Sequence, residues 1–391
     1  MVGRGGMVLP FILAGVLTAG CGGDGDRDAQ RPPPPGGAVS AATPEATDAG
    51  VRILALGGNA VDAAVAAALV LGAAEPSESG LGGHAVLLVG PREGEAAVIH
   101  ADEAQALAAG GGEPALEPPS ALAVLGHAWE RHGSGNLSWE ELVEPAIRAA
   151  EEGWLLGRYR HRMIVREYPR LLGDSLTQVL TLNADRSIPT EGTRITNPAL
   201  AATLRAVAEG GPATLTSGTL ASALADALEA RGYGGAAAWL ARPPDVRSTA
   251  PISGQYRGRT VLTAPEPFGG PVVLRALAFL ESAPGEALRD PGLPRTAWMA
   301  EALGWGRSRA TDPDAFLAGL PPLPLPGADT LGRSAPASTP DRPPRPAAPP
   351  PAPDTSGRGD QTTHVSVLDG AGTAVAVTLS LGRPYGAGFM A

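Results

Sequence analysis

Thr362 is the residue whose setting invites chemistry. It follows Asp360-Gln361 and opens the run Thr362-Thr363-His364-Val365-Ser366-Val367, an alternating strand pattern placed after a long Pro-rich stretch. Inside a chain, a threonine hydroxyl is a poor nucleophile, because nothing beside it takes its proton. Cleavage between Gln361 and Thr362 would change that. Thr362 would gain a free α-amine, which titrates near about 8 and can serve as base for its own hydroxyl. The competing reading of a Thr-Thr pair in a strand is β-propensity alone. The flanking sequence has to decide between the two.

Several elements are positioned to hold such a residue. Residues 45–56 read as a helix stopped by Gly57-Gly58. Asn59 is a good N-cap for the next helix, and Asp62 sits in its first turn beside the positive end of the dipole. Val61, Val65 and Leu69 recur at four-residue spacing with Ala between them, so this helix can pack closely on a sheet. A turn at Gly80-Leu81-Gly82-Gly83 leads into a strand at 85–89, with 96–100 as its partner. Ser138 and Glu141 have capping-box spacing and start a helix running to 151. Further helices are expected at 200–209, 220–231, 271–281 and 296–307. Near the end, strands at 365–368 and 373–379 flank Asp369-Gly370-Ala371-Gly372, a hairpin-type turn, with Thr362 at the start of the first strand. This mixture predicts a layered α/β fold.

Composition narrows the function classes. The chain has 391 residues, a net charge of -10 and no lysine, so every basic side chain is Arg or His. Without a basic stripe or interleaved aromatics, a nucleic-acid partner is not expected. The six His show no metal-ligand spacing, Gly80–Gly83 lacks the context of a phosphate loop, and no cofactor is expected. Cys21 is the only cysteine, which excludes an intrachain disulfide. Arg4, an apolar run at 7–17 too short to span a bilayer, and Thr18-Ala19-Gly20 before Cys21 read as a lipoprotein signal, with Cys21 lipidated. An ordinary secretory signal with an incidental Cys is the other reading. The expected organisation is therefore a signal peptide at 1–21, a tether at 22–37, a folded domain at 38–319, a Pro-rich linker at 320–361 and a two-strand segment at 362–391. The linker is expected to be disordered or polyproline-like, since residues 321–353 hold 13 prolines. The product would be exported, periplasmic or extracytoplasmic, and held at a membrane by its lipid.

Four sets of residues carry a resemblance. They are Gly57-Gly58-Asn59-Ala60-Val61-Asp62-Ala63-Ala64 with Gly80-Leu81-Gly82-Gly83; Pro251-Ile252-Ser253-Gly254-Gln255-Tyr256 with Pro265-Glu266-Pro267-Phe268-Gly269-Gly270; Met299-Ala300-Glu301-Ala302 with Asp312-Pro313-Asp314-Ala315-Phe316; and Gln361-Thr362-Thr363-His364 with Asp369-Gly370-Ala371-Gly372. In this order and spacing, from about residue 38 to 391, the chain resembles the gamma-glutamyltranspeptidase family of N-terminal nucleophile hydrolases. The resemblance implies an αββα sandwich, here incomplete at the C-terminus. It implies autocleavage between Gln361 and Thr362, with the folded domain at 38–319 as the large subunit and 362–391 as the start of the small one. It also implies a small-molecule γ-glutamyl substrate of the glutathione type, hydrolysed or transferred through Thr362.

Other roles carry over position by position. Ser380 falls where the family has a second Thr that positions the nucleophile. Gly382 stands in place of an Asn that binds the substrate's α-amino end. Asp102 stands in place of an Arg that pairs with the substrate α-carboxylate, a reversal of charge. The family's Ser-Ser pair, acidic substrate ligand and Gly-Gly oxyanion donors fall beyond Ala391, and each oxyanion donor is worth about 3 kcal/mol. Three readings stay open: a γ-glutamyl hydrolase or transferase, an amidase for an acyl group with a cationic end that Asp102 would accept, and a non-catalytic lipoprotein that keeps the fold for binding or structure.

Overall fold

The computed structural model describes residues 36–102, 105–109, 115–289, 292–308 and 362–389. In chain order they form β1 (Ala38–Ala41), α1 (Pro44–Ala55), α2 (Ala60–Ala74), β2 (His84–Gly90), β3 (Ala97–Ala101), α3 (Ala121–His132), α4 (Trp139–Glu152), β4 (Trp154–Leu155), α5 (Arg158–Leu171) and α6 (Ser175–Thr181). Then come β5 (Arg194–Ile195), α7 (Pro198–Gly210), α8 (Gly218–Glu229), α9 (Ala236–Leu240), β6 (Val246–Thr249), β7 (Ile252–Tyr256), β8 (Arg259–Thr263), α10 (Gly270–Leu280), α11 (Gly285–Arg289), α12 (Leu293–Arg307), β9 (Thr362–Leu368) and β10 (Ala374–Ser380).

The helix starts follow from local chemistry. Thr43 caps α1 by accepting from Ala46 N. The Asn59 side chain accepts from Val61 N and Asp62 N, while Asp62 Oδ2 accepts from Asn59 N at 2.9 Å, a reciprocal capping box. Ser138 and Glu141 form the same box at the start of α4. The expected helices and strands all form, with ends shifted by a few residues. The largest helix shift is at α12, which starts at Leu293 because Pro294 suits the first turn.

Six strands make one sheet in the order β1-β9-β10-β2-β3-β6, each antiparallel to its neighbours. β4–β5 and β7–β8 form separate two-stranded sheets. One face of the large sheet, carrying Val365, Val367, Val375, Val377, Leu379, Ala85, Leu87 and Val89, is buried against helices. α2 lies in the centre of that layer, with every residue but Gly72 buried. Its alanines allow close approach to β9 and β10 on one side and to α1 and α4 on the other. The opposite face is open at its middle. There Thr362, His364 and Ser366 are exposed, and Ser380, Thr378, His84, Val86 and Leu88 are half-buried. No helix among the described residues is long and apolar enough to cross a membrane.

Candidate active site

Thr362 is the first residue of β9 and is exposed, while Thr363 beside it is buried on the helix side. This follows from strand alternation, which puts successive side chains on opposite faces. Directly across the ladder, Thr362 pairs with Ser380, the last residue of β10. Two hydroxyl side chains thus come together at one corner of the open face. Ser380 Oγ accepts from Gly382 N at 3.0 Å, and Gly382 itself has a positive φ of 75°. A side chain at Gly83 would bring Cβ within 2.6 Å of Ser380 O, so the Gly80–Gly83 turn sits tightly against this corner.

The same row continues across the sheet. Ser380 pairs with His84, the first residue of β2. The His84 ring is held by Ser120 Oγ, 2.9 Å from Nδ1, and by Glu117, whose Oε2 lies 2.9 Å from Nε2. Asp102 follows the end of β3 and donates its N–H to Asp245 O at 3.0 Å. Its carboxylate does not stand alone. Arg247 of β6 places Nη2 2.8 Å from Asp102 Oδ2 and 2.7 Å from Asp245 Oδ2. A guanidinium therefore does reach Asp102, but it comes from the neighbouring strand and arrives already bracketed by two carboxylates.

Beneath the row lies a buried polar layer. Glu75, at the C-terminal cap of α2, is 5% exposed and faces Thr363. Burial raises its carboxyl above the ordinary value. Neither Glu75 Oε2 nor Thr363 Oγ1 has a hydrogen-bond partner within the described residues. Glu78, also raised by burial, accepts from Tyr159 Oη at 2.9 Å; Tyr159 lies at the exposed edge of this layer, and desolvation of its hydroxyl together with the Glu78 carboxylate pushes it up to about 12. The segment after β10 is tied to this layer, because Tyr385 N donates to Ser77 O at 3.1 Å and Arg170 donates to the carbonyls of Pro384 and Gly386.

Thus the structure brings Thr362, Ser380 and Gly382 together at one corner and places Asp102 farther along the same edge. Gln361, Cys21, the Pro-rich linker and the Asp312–Phe316 motif lie outside the described residues. His84, Glu117, Arg247 and Glu75 escape sequence reading. His84 carried one usable signal, as the first residue after a glycine turn at the head of a strand. Arg247 carried none, since only the β3–β6 register brings it to Asp102.

A sequence profile of gamma-glutamyltranspeptidases matches residues 46–391. The chain belongs to the gamma-glutamyltranspeptidase family. Among curated relatives, "Glutathione hydrolase proenzyme 2" of Schizosaccharomyces pombe is 30% identical over 297 residues, 71% of this chain and 48% of that protein. "Glutathione hydrolase proenzyme" of Escherichia coli is 27% identical over 91% of this chain and 64% of its own length. The chain spans about half the length of the first curated relatives it matches. In fold it is similar to the gamma-glutamyltranspeptidase of Helicobacter pylori, with a TM-score of 0.62 at 23% identity over 71% of this chain and 83% of that one. Mixed α/β layering with an antiparallel central sheet is therefore a property this gamma-glutamyltranspeptidase family member shares with its relatives.

Proposed function

We propose that this chain is an exported γ-glutamyl hydrolase or acyltransferase that acts through Thr362. The observation that carries the reading is the corner itself. Thr362 is exposed at the first position of β9, in register with the hydroxyl of Ser380. The family membership and the word "proenzyme" in relatives' names support cleavage before activity.

In the proposed sequence the Thr362 hydroxyl attacks the Gln361 carbonyl carbon, the peptide C–N bond breaks, and an ester links Gln361 to the Thr362 oxygen. Water hydrolyses that ester and leaves Thr362 with a free α-amine. That amine then accepts the hydroxyl proton as the oxygen attacks the γ-carbonyl of a glutathione-type amide. The leaving amine takes the proton, and water or a second amine resolves the acyl ester. Ser380 is assigned the positioning of Thr362. The backbone at Gly382 is assigned the side-chain-free rim where the substrate's amino end lies. Export and lipidation at Cys21 belong to the same proposal.

The test is N-terminal sequencing and intact mass of the purified chain. A C-terminal fragment beginning at Thr362 is expected, with Thr362→Ala remaining whole. A wild-type chain that stays whole, and takes no acyl group from γ-glutamyl-p-nitroanilide, would support the non-catalytic lipoprotein reading instead.

A further inference from the structure

We infer that His84 receives the carboxylate of the acyl donor, and that Glu117 is the resident group this carboxylate displaces. The inference rests on Thr362 being the nucleophile, and it adds the group that selects the substrate. Thr362 pairs with Ser380 and Ser380 pairs with His84, so the three lie in one row on the open face. Neighbouring strands are about 4.8 Å apart, which puts His84 about 10 Å from Thr362. In a γ-glutamyl donor, four C–C bonds separate the scissile carbonyl from the α-carboxylate, about 5 Å along an extended chain. Adding about 3 Å from nucleophile to carbonyl carbon and about 3 Å from donor nitrogen to carboxylate oxygen gives a span of about 11 Å. His84 sits at that distance.

Arg247, farther along this edge, is less suited. Asp102 and Asp245 both contact Arg247 Nη2, at 2.8 Å and 2.7 Å, so an incoming carboxylate would meet two negative charges there. His84 faces one carboxylate, Glu117, in place of two. Ser120, which is buried, fixes the ring through Nδ1. A Ser120 O–H donated to Nδ1 leaves the ring hydrogen on Nε2, where it points at a carboxylate oxygen. That oxygen belongs to Glu117, whose side chain is 70% exposed. An exposed pair of this kind holds weakly, so one carboxylate can replace the other while Glu117 returns to water. The Nε2 edge is thus already shaped around a carboxylate, and its present partner is loosely held.

The experiment uses the full chain with ¹⁵N-labelled histidine and two probes differing only in the α-carboxylate, L-glutamine and L-glutaminamide. L-Glutamine should move the His84 ring nitrogens, identified by their loss in His84→Gln, and should bind about tenfold more tightly than L-glutaminamide. His84→Gln should remove that preference, and His84→Arg should keep it. Glu117→Gln, which removes the competing charge, should strengthen L-glutamine binding. The inference is overturned if L-glutamine binds without moving His84, if His84→Gln weakens both probes alike, or if neither probe binds at millimolar concentration. Mass analysis of the same sample keeps the two readings apart. A responsive His84 in an uncleaved chain defeats only the nucleophile assignment. A cleaved chain with a silent His84 defeats only this inference.

Discussion

Glu75 lies directly under the corner that Thr362 occupies, and its cost to the fold depends on pH. Burial raises its carboxyl above the ordinary 4.5. The folded chain therefore keeps this proton at pH values where the unfolded chain has released it. Its contribution is fully present below 4.5 and is lost as pH rises through the folded-state value. Glu78 is raised in the same direction. His364, exposed on the open face but with its ring partly desolvated against the sheet, is lowered below its ordinary 6.5 and acts in the opposite sense as pH falls through that range. The clean readout is thus the difference between wild type and Glu75→Gln. Thermal melts from pH 4.5 to 7.5 should show the wild type losing stability relative to the variant as pH rises. A constant difference across that range would mean that Glu75 is not buried as described. The same residue shows what sequence reading misses. Glu75-Pro76 looks like a solvated helix end, and only the register of β9 brings Thr363 onto it.

At the scale of elements, one side chain joins the terminal hairpin to the central helix. Asp369 is 6% exposed in the β9–β10 turn, and Oδ1 accepts from Ala371 N at 3.0 Å and Thr373 N at 2.9 Å. Its Oδ2 accepts from Ala60 N at 3.0 Å, at the first turn of α2, where a carboxylate also favours the helix dipole. Asp369→Ala leaves three N–H donors without this acceptor and should destabilise the fold by about 3 kcal/mol, measured by denaturant unfolding. Asp369→Asn should cost less, since one amide oxygen still accepts. A loss under about 0.5 kcal/mol for the Ala variant would show the staple to be incidental. The turn and both strands of this hairpin are legible in the sequence, as are the Asn59 and Ser138 caps, because turn and cap chemistry is local. β1 and β6 are not legible. Four residues such as Ala-Val-Ser-Ala give no period, and these strands exist through partners far along the chain. The site divides the same way. Thr362 and Ser380 share a hairpin and can be paired on paper, whereas His84 and Arg247 join them only through the assembled sheet.

Across the whole molecule, the β9–β10 hairpin occupies the inside of the large sheet, between β1 and β2. Both of those neighbours come from the first ninety residues, and the hairpin comes from the last thirty. The hairpin also supplies Val365, Val367, Val375, Val377 and Leu379 to the core around α2. The order of synthesis follows from this. A nascent chain that has reached Gln361 holds β1 and β2 with no strand to bridge them and a central helix with part of its apolar cover absent. Closing that gap joins residues very distant in sequence, which is slow and favours intermediates. A chain ended at Gln361 should therefore lack a cooperative melt, and a separately made 362–391 peptide should restore one. A sharp transition in the shortened chain alone would contradict this. The ladder also flanks the hairpin on both sides, so a break at 361–362 would leave its two strands in place. Folding that waits for residues 362–380 keeps the preceding chain open while those residues are still to be made, the state in which a polypeptide can be threaded across a membrane.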